Sequence, residues 1–136
     1  MTIFDSMNVS ASGLRAQRTR VNAASSNLAN ANSTRGPDGK PYQRLDPVFE
    51  AEADSSTGQP GGVRVAEMRA DQSEGRSMYM PDHPDANGDG FVTLPNVDPV
   101  HEIVNLMSAQ RGFEANATAF ETAKTLAQRA LDIMRS

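Results

Sequence analysis

With 136 residues and no Cys or Trp, the chain is predicted to form one domain without disulfides or thiolate metal sites. Its formal net charge of −4 is concentrated in positions 36–97, where eleven acidic side chains outnumber five basic ones. Because phosphate binding needs clustered Lys and Arg, this distribution argues against a nucleic-acid surface.

The region 1–35 is predicted to form a long amphipathic helix. Thr2 and Asp5 have the spacing of a capping pair, and Gly36-Pro37 ends the helix. The segment lacks the basic start and continuous apolar run of a cleavable signal peptide, and no stretch reaches the ~18 apolar residues of a membrane span. Apolar and small residues mark one face at alternating spacings of three and four: Ile3, Met7, Ser10, Leu14, Gln17, Val21, Ala24 and Leu28.

The region 36–97 is predicted to be a small β-rich domain with mobile loops. Gly and Pro divide it into short segments, and a loop is expected at 54–62. With only about sixty residues, this region is too short to bury a large hydrophobic core. Short strands are expected at 48–53, 62–68, 76–80 and 91–94.

The stretch from Asp85 to Val92 matches the first half of a calcium-binding loop, with oxygen-bearing side chains at alternate positions and Gly at the sixth. The twelfth position, where such a loop needs a bidentate Glu, is Asn96. Pro84 and Pro95 interrupt the helices that should flank the loop. A turn before a short strand is therefore the favoured interpretation, and a calcium site is the weaker one.

The region 98–136 is predicted to be the second and longer helix. Asp98 can cap it, and Pro99 then occupies the first helical position, where its missing N–H costs nothing. Gly112 costs ~1 kcal/mol against Ala inside a helix, so either another helix approaches closely there or this helix is weak. The three-and-four spacing runs through Ile103, Leu106, Gln110, Phe113, Ala117, Phe120, Lys124, Ala127, Leu131 and Met134.

These elements predict an α+β fold, in which the N- and C-terminal helices pair as a coiled coil and the β-rich domain is inserted between them. The second helix would be a rod of roughly 55 Å, longer than a core helix in a chain of this size needs. Both seams are thin and rich in Ala, Ser and Gln. This composition favours packing between subunits as well as within one.

No catalytic or cofactor-binding pattern is present in the sequence. The two His residues, His83 and His101, stand in a Pro-rich turn and in the opening turn of a helix. No Ser stands in a nucleophile elbow, and the Gly clusters lack the Lys and the following helix of a phosphate-binding loop. We therefore expect a protein that is not an enzyme and that binds no cofactor.

Several motifs resemble bacterial flagellar rod and hook proteins. The run from Ser26 to Thr34, in which Asn-Leu-Ala-Asn precedes a Thr, resembles the N-terminal signature of that family. The second helix is similar to its C-terminal region over 98–107, 109–116, 122–124 and 131–133. The segments 39–44, 83–86, 90–92 and 95–97 are similar to the C-type proximal rod subunits of the family.

The resemblance implies a structural subunit of the proximal flagellar rod, located in the periplasmic basal body. It implies that the paired terminal helices polymerise around an export channel, and that the rod transmits torque to the hook. Its partners would be other rod subunits, basal-body proteins, copies of itself and the flagellar type III export apparatus. Contact residues are expected at Leu14, Val21, Asn27, Leu28, Asn30, Asn32, Thr34, Leu106, Gln110, Phe113, Asn116, Phe120 and Leu131.

Two other functions are compatible with parts of the pattern. A soluble coiled-coil adaptor or export chaperone would use the same helices, but it would leave the Asn-Leu-Ala-Asn run without a role. A calcium-binding module would depend on Asp85, Asn87 and Asp89.

Overall fold

The computed structural model describes residues 2–53, 58 and 60–135. Two long helices flank the strands of this part of the chain, and the predicted α+β fold with terminal helices around a small β-rich region is confirmed. The elements are α1 (Ile3–Ala29), β1 (Leu45–Ala53), β2 (Pro60–Ala70), β3 (Arg76–Tyr79), β4 (Phe91–Leu94) and α2 (Pro99–Arg135).

The strands form two antiparallel hairpins, β1 with β2 and β3 with β4. All four predicted strands are present, and the first two are longer than expected. Strand β2 already begins at Pro60, so the loop expected at 54–62 is shorter; positions 54–57 and 59 of it lie outside the described residues. The inward side chains of β4, Val92 and Leu94, are buried.

Both helices begin as their capping signals predict. The Thr2 hydroxyl accepts a hydrogen bond from the Asp5 N–H at 3.2 Å, and the Asp5 carboxylate accepts one from the Thr2 N–H at 2.6 Å. This reciprocal capping box satisfies two N–H groups at the start of α1. At the start of α2, the Asp98 carboxylate accepts a hydrogen bond from the Val100 N–H at 2.9 Å.

The two helices lie antiparallel to each other. Asn27 contacts Glu102, Gln17 lies against Gly112, and Gly13 lies against Asn116. The residue numbers of each pair add up to 129, which shows that the two helices keep one register along the pair. By the same register, Ile3 at the start of α1 lies opposite position 126 of α2. Because α1 has 27 residues and α2 has 37, the last two turns of α2 extend beyond α1.

Most residues in the seam between the two helices lie one position before a predicted seam residue. On α2, for example, Ala109 and Ala123 are buried, whereas Gln110 and Lys124 were predicted. Ile103 is 45% exposed, and Gln110 and Lys124 are exposed. Of the predicted α1 positions, Ala24 is buried and the others are not. Small side chains let the backbones approach closely, and the large apolar side chains are left on the flank of the pair. The buried helix residues are Ser12, Gly13, Ala16, Ala23, Ala24 and Asn27 of α1 and Glu102, Ala109 and Ala123 of α2.

Gly112 marks a close approach of the two helices. A Cβ atom placed there would lie 2.9 Å from the side-chain Cδ of Gln17. A Cβ at Gly13 would likewise lie 2.7 Å from the side-chain Oδ1 of Asn116. Gly112 was expected to mark either a close approach of another helix or a weak point in α2. The structure shows the close approach.

Helix α1 lies between α2 and the β1–β2 hairpin. The Val63 N–H of β2 donates a hydrogen bond of 3.0 Å to the buried Ser12 hydroxyl, which itself donates to the Val9 carbonyl at 2.6 Å. The Leu45 N–H, at the start of β1, donates to the Asn27 amide oxygen at 2.9 Å. The hairpin is thus fastened to α1 at two points, whereas none of the described strands packs against α2.

Candidate assembly interface

The Asn27 side chain, expected to contact a neighbouring chain, is buried inside the subunit with 1% of its surface exposed. Its amide oxygen accepts hydrogen bonds from the Tyr42 hydroxyl and the Leu45 N–H, both at 2.9 Å. Its amide nitrogen donates to the Leu45 carbonyl at 2.8 Å and to a Glu102 carboxylate oxygen at 3.2 Å. These four bonds use the full capacity of the amide, so Asn27 joins elements of one subunit.

Glu102 carries a carboxylate into the interior, and Arg44 pairs with it. Glu102 is 1% exposed, and the Arg44 Nε donates to its Oε1 at 2.5 Å. Burial by itself lowers the pKa of Arg44, but the hydrogen bond and the charge of Glu102 outweigh burial and leave that pKa raised. A buried carboxylate is tolerated only when it is paired and hydrogen-bonded.

Asn96 completes this cluster, which we call the polar latch and define as Asn27, Arg44, Asn96 and Glu102. The Asn96 amide oxygen accepts from the Arg44 N–H at 2.8 Å. Its amide nitrogen donates to the Asp71 carbonyl at 2.9 Å. The latch therefore joins α1, the segment leading into β1, the segment following β2 and the start of α2.

Sequence reasoning did not identify Arg44, Asn96 or Glu102. One signal was available for Glu102. It lies seven positions before Ala109 and therefore on the same face of α2, and this face is buried. Tyr42 and Arg44 belong to the segment 39–44, which resembles the family, but the sequence indicated no separate role for either residue.

The other members of the Asn-rich run lie at the same end of α1, where Ala31 is buried and the remaining side chains are half-buried or exposed. The Asn30 amide donates to the Ser26 carbonyl at 2.8 Å, which finishes α1. Asn32 is exposed, and Leu28 is half-buried. These three predicted contact residues therefore lie close together at the C-terminal end of α1.

Thr34 is engaged with the loop that resembles a calcium site. Its hydroxyl donates to the Asp85 carboxylate at 2.8 Å, and Arg35 forms a salt bridge with the same carboxylate. The Thr34 hydrogen bond, followed by the charge of Arg35, lowers the pKa of Asp85. Asp85 thus fastens the segment after α1 to the loop before β4.

Asn87 organises that loop from within. Its side-chain oxygen accepts hydrogen bonds from the Asp89 N–H at 3.0 Å and the Phe91 N–H at 2.9 Å. Such side-chain to backbone bonds are typical of Asx turns. Among the described residues, no three His, Asp or Glu side chains are grouped so as to hold a metal ion.

The predicted contact residues on the helices lie mostly along the flank of the pair. Val21, Gln110 and Phe113 line a groove of about 380 Å³ together with Arg18 and Glu114. Leu131 is 54% exposed, in the part of α2 that extends beyond α1. The half-buried members of the predicted set are Leu14, Val21, Leu28, Asn30, Thr34, Leu106, Asn116 and Phe120.

A further apolar stripe covers the outward face of the first turns of α2. It consists of Val100, Ile103, Val104 and Met107, all at least 45% exposed. Only Ile103 belonged to the predicted seam. The helix pair therefore exposes large apolar side chains on its flanks, whereas small ones fill its interior.

The described helices include none that is both long and apolar enough to cross a membrane. Two family models match the chain at its two ends. The model described as "Flagella basal body rod protein" matches residues 7–37, and the model described as "Flagellar basal body rod FlgEFG protein C-terminal" matches residues 89–133. The matches cover most of α1, its Asn-rich end, β4 and α2, which places the chain among the structural proteins of the flagellar rod.

Full-length relatives narrow this class. The chain is 41% identical over 134 residues to the flagellar basal-body rod protein FlgC of Salmonella typhimurium, with 98% of each chain covered. It is 39% identical to FlgC of Bacillus subtilis, with 98% of this chain and 99% of the relative covered, and 41% identical to FlgC of Aquifex aeolicus, with 97% of each covered. The chain belongs to the FlgC family of flagellar basal-body rod proteins. It is therefore a structural component of the basal-body rod and not an enzyme.

Proposed function

We propose that the chain polymerises through the flanks of its terminal helices, with copies of itself and with other subunits of the proximal rod. The observation that supports this proposal is the exposure of large apolar side chains along the helix pair, including Phe113 at 38% and Val104 at 59%. Covering such side chains contributes roughly 25 cal/mol per Å² of apolar surface. Contacts between subunits would supply the apolar burial that the seam of small residues does not.

The proposed contact residues are those on the flanks of the helices and at the exposed end of α1. Asn27 is excluded from this set because its amide is used inside the subunit. Asn116 is excluded as well, because its side chain lies against Gly13 in the seam between the helices. The set comprises Leu14, Val21, Leu28, Asn30, Asn32, Thr34, Leu106, Gln110, Phe113, Phe120 and Leu131.

In this proposal the helix pairs of successive subunits surround a channel through which later subunits pass. The β-rich domains lie outside and contact neighbouring basal-body proteins. Contacts between unlike surfaces that do not close into a ring generate a helical filament, and many such contacts make it stiff enough to transmit torque to the hook.

Export in unfolded form by the flagellar type III apparatus is part of the same proposal. The chain contains no Cys, so no disulfide has to be broken before it passes through a narrow channel. The seam of Ala and Gly buries little apolar surface, and a helix pair of this kind unfolds at low cost.

Phe113→Ala tests the proposal at the groove. Because Phe113 is 38% exposed, its truncation should cost a single subunit less than the ~3–5 kcal/mol of a fully packed Phe. We expect the variant to be exported normally but to leave cells without assembled rods, as measured by secretion, motility in soft agar and electron microscopy of purified basal bodies. Phe120→Ala should act in the same direction, and Thr122→Ala, an exposed position on the same helix, serves as the control. Normal motility of both Phe variants would contradict the proposal.

A further inference from the structure

An Asp or Asn is followed directly by Gly at three places in the chain. In such a pair the peptide nitrogen of the Gly can attack the side-chain carbonyl carbon of the preceding residue and close a five-membered succinimide ring, because Gly has no side chain to hinder the approach. The attack requires a peptide N–H that is free to lose its proton. The three pairs are Asp38-Gly39, Asn87-Gly88 and Asp89-Gly90.

The fold leaves the attacking nitrogen free in only one of these three pairs. The Gly39 N–H donates a hydrogen bond to the Gly36 carbonyl at 2.9 Å, and the Gly90 N–H donates to the Asn87 carbonyl at 3.0 Å. The Gly88 N–H has no hydrogen-bond partner among the described residues. Gly88 and Asn87 are also exposed, so water reaches both reacting groups.

The loop also prepares the Asn87 amide for attack. Its oxygen accepts hydrogen bonds from the Asp89 N–H at 3.0 Å and from the Phe91 N–H at 2.9 Å. The first of these bonds closes an Asx turn, which folds the amide carbon back toward the peptide nitrogen of Gly88. Attack by that nitrogen places negative charge on the amide oxygen, and two fixed N–H donors stabilise such a charge as they do in an oxyanion hole.

We propose that Asn87 is a site of spontaneous deamidation in the folded protein. The Gly88 nitrogen gives its proton to water and forms a bond to the side-chain carbonyl carbon of Asn87. The bond from that carbon to the amide nitrogen then breaks, and ammonia leaves with a proton taken from water. Water next opens the succinimide at either carbonyl: opening at the side-chain carbonyl leaves aspartate, and opening at the main-chain carbonyl leaves isoaspartate.

The two products affect the loop differently. Aspartate keeps an oxygen that accepts both N–H bonds, and its charge strengthens them. Isoaspartate lengthens the main chain by one methylene group. The backbone bonds that close the loop, from the Asn87 N–H to the Phe91 carbonyl at 2.8 Å and from the Gly90 N–H to the Asn87 carbonyl, then cannot both be kept. Isoaspartate formation therefore loosens the loop that holds Asp85 against Thr34.

Mass spectrometry of the full-length chain, incubated folded and in urea at the same mildly alkaline pH, tests the proposal. Deamidation is followed at Asn87, and isoaspartate formation is followed at Asp38 and Asp89. We expect folding to slow the reaction by at least about tenfold at the two Asp residues and by less than about twofold at Asn87. Equal slowing at the three sites, or slowing of more than about tenfold at Asn87, would overturn the proposal. This comparison uses the unaltered chain.

Gly88→Ala isolates the attacking nitrogen. A Cβ atom at Gly88 would have no neighbouring atom within 4 Å, and Gly88 is not among the Gly residues with positive φ, so the loop accommodates Ala. The added methyl hinders the approach to the amide carbon, and we expect deamidation of Asn87 in the folded variant to slow by at least about tenfold. Asp82→Ala, at an exposed position before the loop, should leave the rate unaltered. An unchanged rate in Gly88→Ala would show that the Gly88 nitrogen is not the nucleophile.

Discussion

Replacing Arg44 by Ala should destabilise the folded subunit more than any other single change of an ionic contact. The substitution leaves the carboxylate of Glu102, 1% exposed, without its cationic partner. Breaking a buried ion pair from one side costs ~3–5 kcal/mol, and water entering the space left by Arg44 should keep the loss near the lower value. Since small domains are stable by roughly 5–15 kcal/mol, this is a large fraction of the total.

Urea unfolding followed by far-ultraviolet circular dichroism measures the loss, because the two helices dominate the signal. Arg64→Ala is the matched control. Arg64 pairs with Glu50 at 2.5 Å, but both side chains are more than half exposed, and exposed pairs contribute ~0–1 kcal/mol. The difference in stability loss between the two Arg variants therefore measures the effect of burying an ion pair, apart from the effect of forming one.

The double variant Arg44→Ala with Glu102→Gln tests the assigned cause. Gln removes the unpaired charge but keeps an oxygen that can accept the hydrogen bond from Asn27, so much of the lost stability should return. A loss below ~1 kcal/mol in the single variant, or a double variant as unstable as the single one, would refute the argument that the buried charge dominates.

Two further predictions concern the helix crossing and the Asp85 contact. Gly112→Ala gains ~1 kcal/mol of helix propensity, but the added methyl displaces the end of the Gln17 side chain, whose Cδ would lie 2.9 Å away. The melting temperature should therefore rise less than it does when Gly112→Ala is made in a chain that already carries Gln17→Ala; equal rises would show that Gln17 does not restrict the position. The pKa of Asp85 is lowered in the folded state, first by the Thr34 hydroxyl and then by Arg35, so the contact stabilises the fold above the ordinary Asp pKa and is lost as the pH falls through the lowered value. A carboxyl-carbon NMR titration should find that lowered pKa, and Thr34→Val should raise it; an unchanged titration in Thr34→Val would show that the hydroxyl does not act on Asp85.

The positions of helices and strands could be predicted from the sequence because local signals specify them. The capping pair of Thr2 and Asp5, the Pro99 start and the punctuation by Gly and Pro each act over a few residues. The family could be recognised because its motifs stand in order along the chain. These signals need no knowledge of which distant residues meet.

The seam between the helices was misplaced for a physical reason. Hydrophobic periodicity finds the most apolar stripe of a helix, and on α2 that stripe includes Ile103 and Phe113, which are exposed on the flank. The seam was instead selected by close approach, which small residues such as Ala109 permit. In a protein that packs against other subunits, the most apolar stripe and the intrachain seam need not coincide.

The polar latch could not be predicted because its members are far apart in sequence. Glu102 lies 58 residues from Arg44 and 75 from Asn27, and no local pattern indicates which charged residue will find a buried partner. Asn27 was identified as a contact residue from its motif, but the sequence offered no means of distinguishing a contact within the subunit from one between subunits.

The antiparallel arrangement of α1 and α2 also affects how the chain folds. The first helix of the chain finds its partner only in the last, so every contact of the seam joins residues between about 75 and 120 positions apart. Contacts so distant in sequence form slowly, because the entropy of closing a long loop is lost before the contacts are made. A chain that emerges from a channel end first therefore cannot close this helix pair until almost all of it is outside, and we expect the slow step of refolding to be the docking of α2.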